Sequence, residues 1–398
     1  MEKVQLYLCL DCHKTFTQHL TKGKHYPLPT MFDAISIYNL GYSLEETCRI
    51  INQRNKGLDL KSPLSKGDLE GLKGLGEIFL QPSTLSHWLA ETGELCRFAR
   101  MREYALKKYL PKDLPAGRQG MVISATLAHR QLYRYRFHRA KCDLIIQDDF
   151  KHRRFGPLQE FLAMVPGECP HQYFQEGLRA SEAPLTFSKT QMIVRSKQNY
   201  ATRLATFVLQ SVKDRKLRHD ALQKFMLAND TVTVATEVPV YITRDDLEHM
   251  QTQLGFEIYQ NPSSILPLTG EKVKTLALSR ERAGIGFELP KLITGHIDMI
   301  QIRNGQIHIL DFKPNATKER PIEQLTLYAM ALSRLTGLRL FEFKCAWFDE
   351  KDYFEFFPLH VLYKPKKNQR RRQVYTKEGV YTINKDERII TIAKPISI

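Results

Sequence analysis

The sequence predicts an α+β chain of several domains: a helical N-terminal module, a helical basic connecting region, a C-terminal α/β core on a mixed sheet, and a basic extension. Three observations predict it. Asn304-Gly305 lies between the apolar runs HIDMIQIR and QIHILDFK, and this pair best satisfies the positive φ at both central positions of a type I′ turn, so a tight hairpin is expected there. Apolar residues recur at helical spacing before residue 100 and again at Leu325, Tyr328, Ala329, Leu332 and Leu335. The 398 residues are 42% hydrophobic, enough for the cores of two or three domains. The expected divisions are residues 1–109, 121–200, 201–365 and 366–398.

Charge narrows the partners. The formal net charge is +16 and the isoelectric point is near 9.4, which favours a polyanion such as nucleic acid and raises its rate of encounter. The sequence shows no N-terminal signal pattern and no run of about 18 apolar residues, which argues against secretion and membrane spanning. Seven scattered cysteines suit reduced thiols in the cytoplasm better than a disulfide framework.

Taken in order, the chain first offers Cys9 and Cys12 in a CxxC followed by Phe16. The pattern looks like one knuckle of the zinc ribbon that begins many insertion-element transposases. A ribbon needs four ligands, and His19 and His25 are the candidates to complete a Zn²⁺ site, at a spacing unlike that of a standard finger. Two helices are expected across PTMFDAISIYNLGYSLEETCRIINQR, joined at Gly41, with Ser43 and Glu46 as a capping box. A third helix is expected at QPSTLSHWLAETG with Ser83 as N-cap. The three suit either a helix-turn-helix or a plain bundle, and their wording is similar to transposase DNA-binding domains. In the former case Ser83, Thr84, Ser86 and His87 would face DNA. The Gly- and Lys-rich stretch at 55–80 reads as an insertion and LPKDLPAGRQG as a linker.

Next, ATLAHRQLYRYRFHRAKCDLII reads as a basic helix. Its Tyr133, Tyr135 and Phe137 suit base stacking, or an ordinary amphipathic face with snorkelling cations. A helical run is expected from Gln191 to Asn229 and a strand from Thr231 to Ile242, where Pro239 signals an edge or a bulge. Residues 243–289 read as an insertion.

The hairpin carries the chemistry. Arg303 faces Gln306, and counting back sets Asp298 opposite Asp311 and His296 opposite Lys313, all on one face by strand alternation. Directly opposed β-carbons lie about 4.5–5.5 Å apart and like charges there are destabilising, so a compensating partner is required. Two carboxylates so placed form the hard-oxygen site that Mg²⁺ or Mn²⁺ prefers, with Lys313 at its shoulder. The bland alternative is a surface ion-pair cluster. The following helix, with Pro321 in its first turn and Gly337 past its end, stacks Gln324 and Tyr328 at i, i+4.

Aspartate on one strand, Asp-x-Lys on the next and a helix with Gln-xxx-Tyr together resemble the RecB-type branch of the PD-(D/E)XK nucleases, over roughly Lys213 to Leu359. One departure from the pattern is Pro314, directly after the Asp-x-Lys. The resemblance implies a restriction-endonuclease-like core and a metal-binding histidine on an earlier helix, for which LRHDALQKFM offers His219, followed by a strand with Glu237. It implies a Mg²⁺- or Mn²⁺-dependent deoxyribonuclease with catalytic Asp298, Asp311, Lys313, Gln324 and Tyr328, and metal ligands His219, Asp298 and Asp311. The rival reading is a non-catalytic, transposase-derived DNA-binding protein whose nuclease-like domain is structural. The motif itself does not separate DNA from RNA.

Overall fold

The computed structural model describes residues 6–8, 15–17, 26–56, 79–93, 99–109, 121–187, 193–196, 199–212, 214–260, 289–363, 372–376, 379–384 and 389–394. The zinc candidates Cys9, Cys12, His19 and His25 lie outside them, as do most of the insertion after the second helix and the linker at 110–120. The chain divides into two compact units, Met1–Ala183 with Ile193–Arg244 and Leu289–Pro358, and Pro184–Met192 with Asp245–Glu288 and Leu359–Ile398.

The first unit is built on a nine-stranded mixed sheet. At its centre β10 (Leu292–Arg303) and β11 (Gln306–Phe312) form the expected hairpin. Asn304 and Gly305 take φ of 54° and 71°, and the register runs from Arg303↔Gln306 to Met299↔Leu310 as the turn dictates. On one side β10 pairs antiparallel with β8 (Thr233–Thr243). On the other side β11 runs parallel to β12 (Phe343–Phe348), and a parallel pair needs a crossover, supplied by a helix at Ile322–Thr336. That helix has Pro321 as N-cap and ends at Gly337 with φ 68°. β13 (Tyr353–Phe356) and β7 (Val194–Ser196) extend the sheet beyond β12.

The N-terminal helices belong to this same unit. They are α1 (Leu28–Asn39), α2 (Leu44–Lys56) and α3 (Pro82–Thr92), followed by α4 (Ala99–Tyr109). The capping box forms as expected: Glu46 N donates to Ser43 Oγ at 3.1 Å and Ser43 N to Glu46 Oε2 at 3.2 Å. The third helix starts two residues earlier than expected, with Pro82 in the first turn and Gln81 as N-cap, because a proline lacks the N–H that a first-turn residue leaves unused. Apolar residues of α1, α2 and α3 share one hydrophobic cluster with Met299, Leu310, Phe312, Ala346 and Phe348 of the sheet. Two further helices complete that layer, at Tyr200–Leu209 and Arg218–Asn229. A buried amide bridge joins its halves: Asn39 Nδ2 donates to Asn229 Oδ1 at 2.6 Å, and Asn229 Nδ2 to Ser36 Oγ at 2.9 Å.

Two expectations are corrected. The segment Ala125–Ile146, read as a basic helix, is for most of its length part of a hairpin of β3 (Val122–His129) and β4 (Gln131–His138) at one end of the sheet. Tyr133, Tyr135 and Phe137 alternate with Arg134 and Arg136, a period of two that suits one buried face of a strand, and only Arg139–Asp148 (α5) is helical there. The run from Gln191 to Asn229 is likewise broken, by β7 and by Asn199, whose side chain caps the helix at Tyr200. Pro239 agrees with its expectation: although β8 lies between β4 and β10, the β4 ladder runs only over Arg136↔Thr236 and Phe137↔Ala235. The strand is therefore locally an edge at Pro239, which pairs with His296 of β10.

The remaining helices of this unit are α6 (Gly156–Glu168), α7 (His171–Glu176), α8 (Tyr200–Leu209) and α9 (Arg218–Asn229), with α11 (Ile322–Thr336) as the crossover. In the second unit β6 (Leu185–Thr186) pairs with β9 (Tyr259–Gln260), α10 (Arg244–Thr252) lies largely within it, and three antiparallel strands span Arg372–Thr376, Gly379–Asn384 and Ile389–Lys394. Among the described residues no helix is long and apolar enough to cross a membrane.

Lys141 of α5 is fully buried, its Nζ donating to the carbonyls of Leu227 and Asp230, and burial pushes its pKa down to about 7. Unfolding restores the ordinary value near 10.4, so between about pH 7 and 10 the unfolded chain binds one more proton and stability rises with pH. Below pH 7 both states are charged and the penalty is constant. In urea titrations, wild-type unfolding free energy should therefore climb from pH 7 to 9 by up to about 1.4 kcal/mol per pH unit more than that of Lys141→Met. Parallel profiles would refute this.

Candidate active site

Three adjacent strands each bring one carboxylate to the same place. The hairpin register continues from Met299↔Leu310 to set Asp298 opposite Asp311, and the β8 ladder sets Glu237 opposite Asp298, between Val238↔Ile297 and Thr236↔Met299. Glu237 takes a φ of 52°, rare for a residue with a side chain, where the strand departs from regular pairing. Leu310 and Phe312 enter the cluster shared with the N-terminal helices, so alternation turns Asp311 and Ile309 to the face covered by α11. Cys345, the partner of Ile309, donates its thiol to Leu325 O of that helix.

The acids are held by specific partners. Asp298 Oδ2 accepts from Phe312 N at 3.1 Å and lies 3.4 Å from His219 Nδ1, in the first turn of α9. Asp311 Oδ2 lies 3.1 Å from Lys313 Nζ, an ion-pair contact outside hydrogen-bond geometry. Glu237 Oε1 accepts from Gln223 Nε2 at 2.7 Å. Gln324 Nε2 donates to Tyr328 Oη at 2.8 Å, the i, i+4 contact expected of α11. All the residues read as catalytic or metal-binding, His219, Asp298, Asp311, Lys313, Gln324 and Tyr328, line one cleft of about 350 Å³. Ser83, Thr84, Ser86 and His87 lie on α3 and are not among its lining; Ser83, Ser86 and His87 are exposed, and His87 lies 3.7 Å from Glu91.

Burial dominates the electrostatics. It holds Asp311 well above the usual carboxylate range, reinforced by the charge of Asp298. Burial would raise Asp298 too, but His219, the proton shared with Asp311 and the Phe312 amide keep it below its ordinary value. The two shifts run in opposite directions, Asp311 upward and Asp298 downward, as coupled acids in contact require. Glu237 is pushed up to about 7 by burial and by Asp298. His219 and Lys313 are held above their ordinary values: burial opposes their charging, but the carboxylates outweigh it, through Asp298 for the histidine and Asp311 for the lysine.

This arrangement fits a hard divalent cation. Three carboxylates converge from neighbouring strands, Asp311 is held well above the usual carboxylate range, and its buried Oδ2 has no hydrogen-bond donor. Oxygen donors with one imidazole suit Mg²⁺ or Mn²⁺, and a cation there would favour the ionised form of both aspartates.

The structure departs from expectation at His296. It lies beside Asp298 in the same cleft, but its Nε2 meets His129 Nδ1 at 2.8 Å and its ring stacks on Tyr133 with centroids 3.5 Å apart. The β3–β4 hairpin thus supplies a cleft wall of His129, Arg130 and Tyr133 that reading it as a helix concealed; its period-two aromatics were the available signal. Arg179, just after α7 on the short strand β5 (Leu178–Arg179), also lines the cleft, and no sequence motif marked it.

A family model described as PD-(D/E)XK nuclease superfamily matches residues 168–385, more than half of the chain. No curated protein and no solved structure matches it.

Gly295 is the close approach that seats α11. A Cβ there would lie 2.2 Å from Tyr328 Cε1, and the ring is walled in by burial. Gly295→Ala should lower unfolding stability by about 1–3 kcal/mol, as overpacking does. Gly156→Ala, whose Cβ meets nothing within 4 Å, is the comparison and should be near neutral. Equal urea midpoints for the two variants would disprove the packing role.

Proposed function

Since this chain belongs to the PD-(D/E)XK nuclease superfamily, we propose that it is a metal-dependent nuclease of the RecB-type branch that hydrolyses DNA phosphodiester bonds in the cleft of Asp298 and Asp311. One observation carries the reading: a buried Asp311 opposite a half-buried Asp298, flanked by His219 at 3.4 Å from Asp298 and Lys313 at 3.1 Å from Asp311. A surface ion-pair cluster does not account for it. Asp311 and the side chain of Asp298 are largely withdrawn from water, where an uncompensated pair of acids is expensive to keep.

Asp298, Asp311 and His219 would hold Mg²⁺ or Mn²⁺, with Glu237 adding a third carboxylate. When bound, the cation supplies positive charge at the scissile phosphate and acidifies water. The chain's own groups do the rest. Lys313, kept protonated by Asp311, presents its ammonium where negative charge develops on the phosphorus oxygens. The Gln324–Tyr328 hydrogen bond orders the α11 side of the cleft, so the strand is held against a fixed wall. Arg130 and Arg179 line the same cleft and supply cationic contacts for flanking phosphates. Helices α1 to α3, with their transposase-like wording, would bring the enzyme to duplex DNA through Ser83, Thr84, Ser86 and His87, whose exposed edge leaves Leu85 and Trp88 to the core.

Labelled single-stranded DNA, duplex DNA and RNA, each with and without Mn²⁺, test this. Mn²⁺-dependent cleavage of DNA is expected, with Lys313→Ala and Asp311→Asn each losing at least about 100-fold in rate. Mn²⁺ binding should be lost in Asp311→Asn and kept in Lys313→Ala, as followed by the metal's electron spin resonance. Cleavage without metal, or undiminished in Lys313→Ala, would exclude the mechanism.

A further inference from the structure

We infer that His129, Cys169 and His171 form a second metal centre, chemically distinct from the carboxylate site, that binds Zn²⁺ through two imidazoles and one thiolate. The inference stands on these residues and does not rest on the nuclease reading.

Three segments deliver the donors. His129 ends β3, Cys169 is the C-cap of α6, and His171 opens α7. Pro170 stands between the last two, and His171 N donates to Cys169 O at 2.9 Å, closing a tight turn that turns both side chains toward β3. The ligand atoms of all three lie within 4.8 Å of one another. His129 Nε2 is the shared corner, 2.8 Å from His171 Nδ1 and 3.8 Å from Cys169 Sγ.

Those spacings can be compared with what the ion requires. Tetrahedral Zn²⁺ with bonds of about 2.0–2.1 Å to nitrogen and 2.3 Å to sulfur places neighbouring nitrogens about 3.3 Å apart and nitrogen and sulfur about 3.6 Å apart. The nitrogen–sulfur edge already matches. The nitrogen–nitrogen edge is now a hydrogen bond and must open by about half an ångström, which His171 can provide because it is exposed and sits at the start of a six-residue helix. Binding exchanges the Cys169 S–H proton for the cation, so one proton is released to solvent and the site keeps a net charge of about +1.

The outer contacts are those of a ligating histidine. His129 Nδ1 meets His296 Nε2 at 2.8 Å, so with the proton on Nδ1 the lone pair of Nε2 faces Cys169 and His171. Phe174 stacks on the His129 ring with centroids 4.0 Å apart and planes 9° apart, and Tyr133 stacks on His296 at 3.5 Å, fixing both rings before any ion arrives. Nitrogen and sulfur donors select Zn²⁺ over Mg²⁺, whereas the acids across the cleft select the reverse. Three protein ligands leave a fourth position for water or a ligand atom, and His296, two residues from Asp298, places this centre on the wall of the same cleft.

Cobalt reports this directly. Titrating the full-length chain with Co²⁺ in saturating Mg²⁺ should give one equivalent of binding with thiolate-to-cobalt absorption in the near ultraviolet, abolished by one equivalent of Zn²⁺. The band should disappear in Cys169→Ser and bind at least about tenfold more weakly in His171→Ala, whose exposed position leaves folding intact. It should persist in a Cys9→Ser/Cys12→Ser double variant. Absence of the band in the wild type, its survival in Cys169→Ser, unchanged affinity in His171→Ala, or its loss in the double variant would each overturn the inference.

Discussion

Opposed carboxylates inside a sheet are the constraint that shapes this protein. Asp298 and Asp311 meet across a two-residue turn, in a place where burial disfavours both charges and the charge of Asp298 pushes Asp311 further toward its protonated form. Around them the fold gathers what positive character it has: a histidine from a helix, a lysine two residues along the same strand end, and a main-chain N–H from Phe312. The histidine comes from α9 and the lysine and the amide from the end of β11, so the hairpin and α9 must both be in place before the pair can be kept. A site assembled this way is defined by tertiary structure, although its two acids lie thirteen residues apart.

The hairpin was legible because its signal is local. Asn304-Gly305 dictates turn type, turn type dictates register, and register alone sets Asp298 against Asp311. The crossover helix was equally readable from its proline start, glycine end and apolar spacing. What escaped was the other side of the cleft. Tyr133, Tyr135 and Phe137 share their segment with arginines and histidines that suit a helix face as well as a strand edge, and the choice was made by packing against β8. With that strand misplaced, His129 and Arg130 had no visible connection to the acids, and nothing in the spacing of His129, Cys169 and His171 reveals that they meet.

Glu237 is intermediate between these cases. Its place on a strand could be read, but its left-handed backbone could not, because it arises where the β8 ladder onto β10 is interrupted between Val238↔Ile297 and Thr236↔Met299. The Ser43 capping box illustrates the opposite limit, a contact between near neighbours that the sequence spells out in full.

The amide bridge from Asn39 to Asn229 ties the first described helix to the one whose opening turn carries His219. Excising the matched half of the chain would strip α1 to α3 from the sheet, baring Met299, Leu310 and Phe312 to water and stranding a buried amide. The matched half is therefore no portable cassette: recombination that separates it from its helical forepart would leave a sticky, unfinished slab instead of a smaller stable protein.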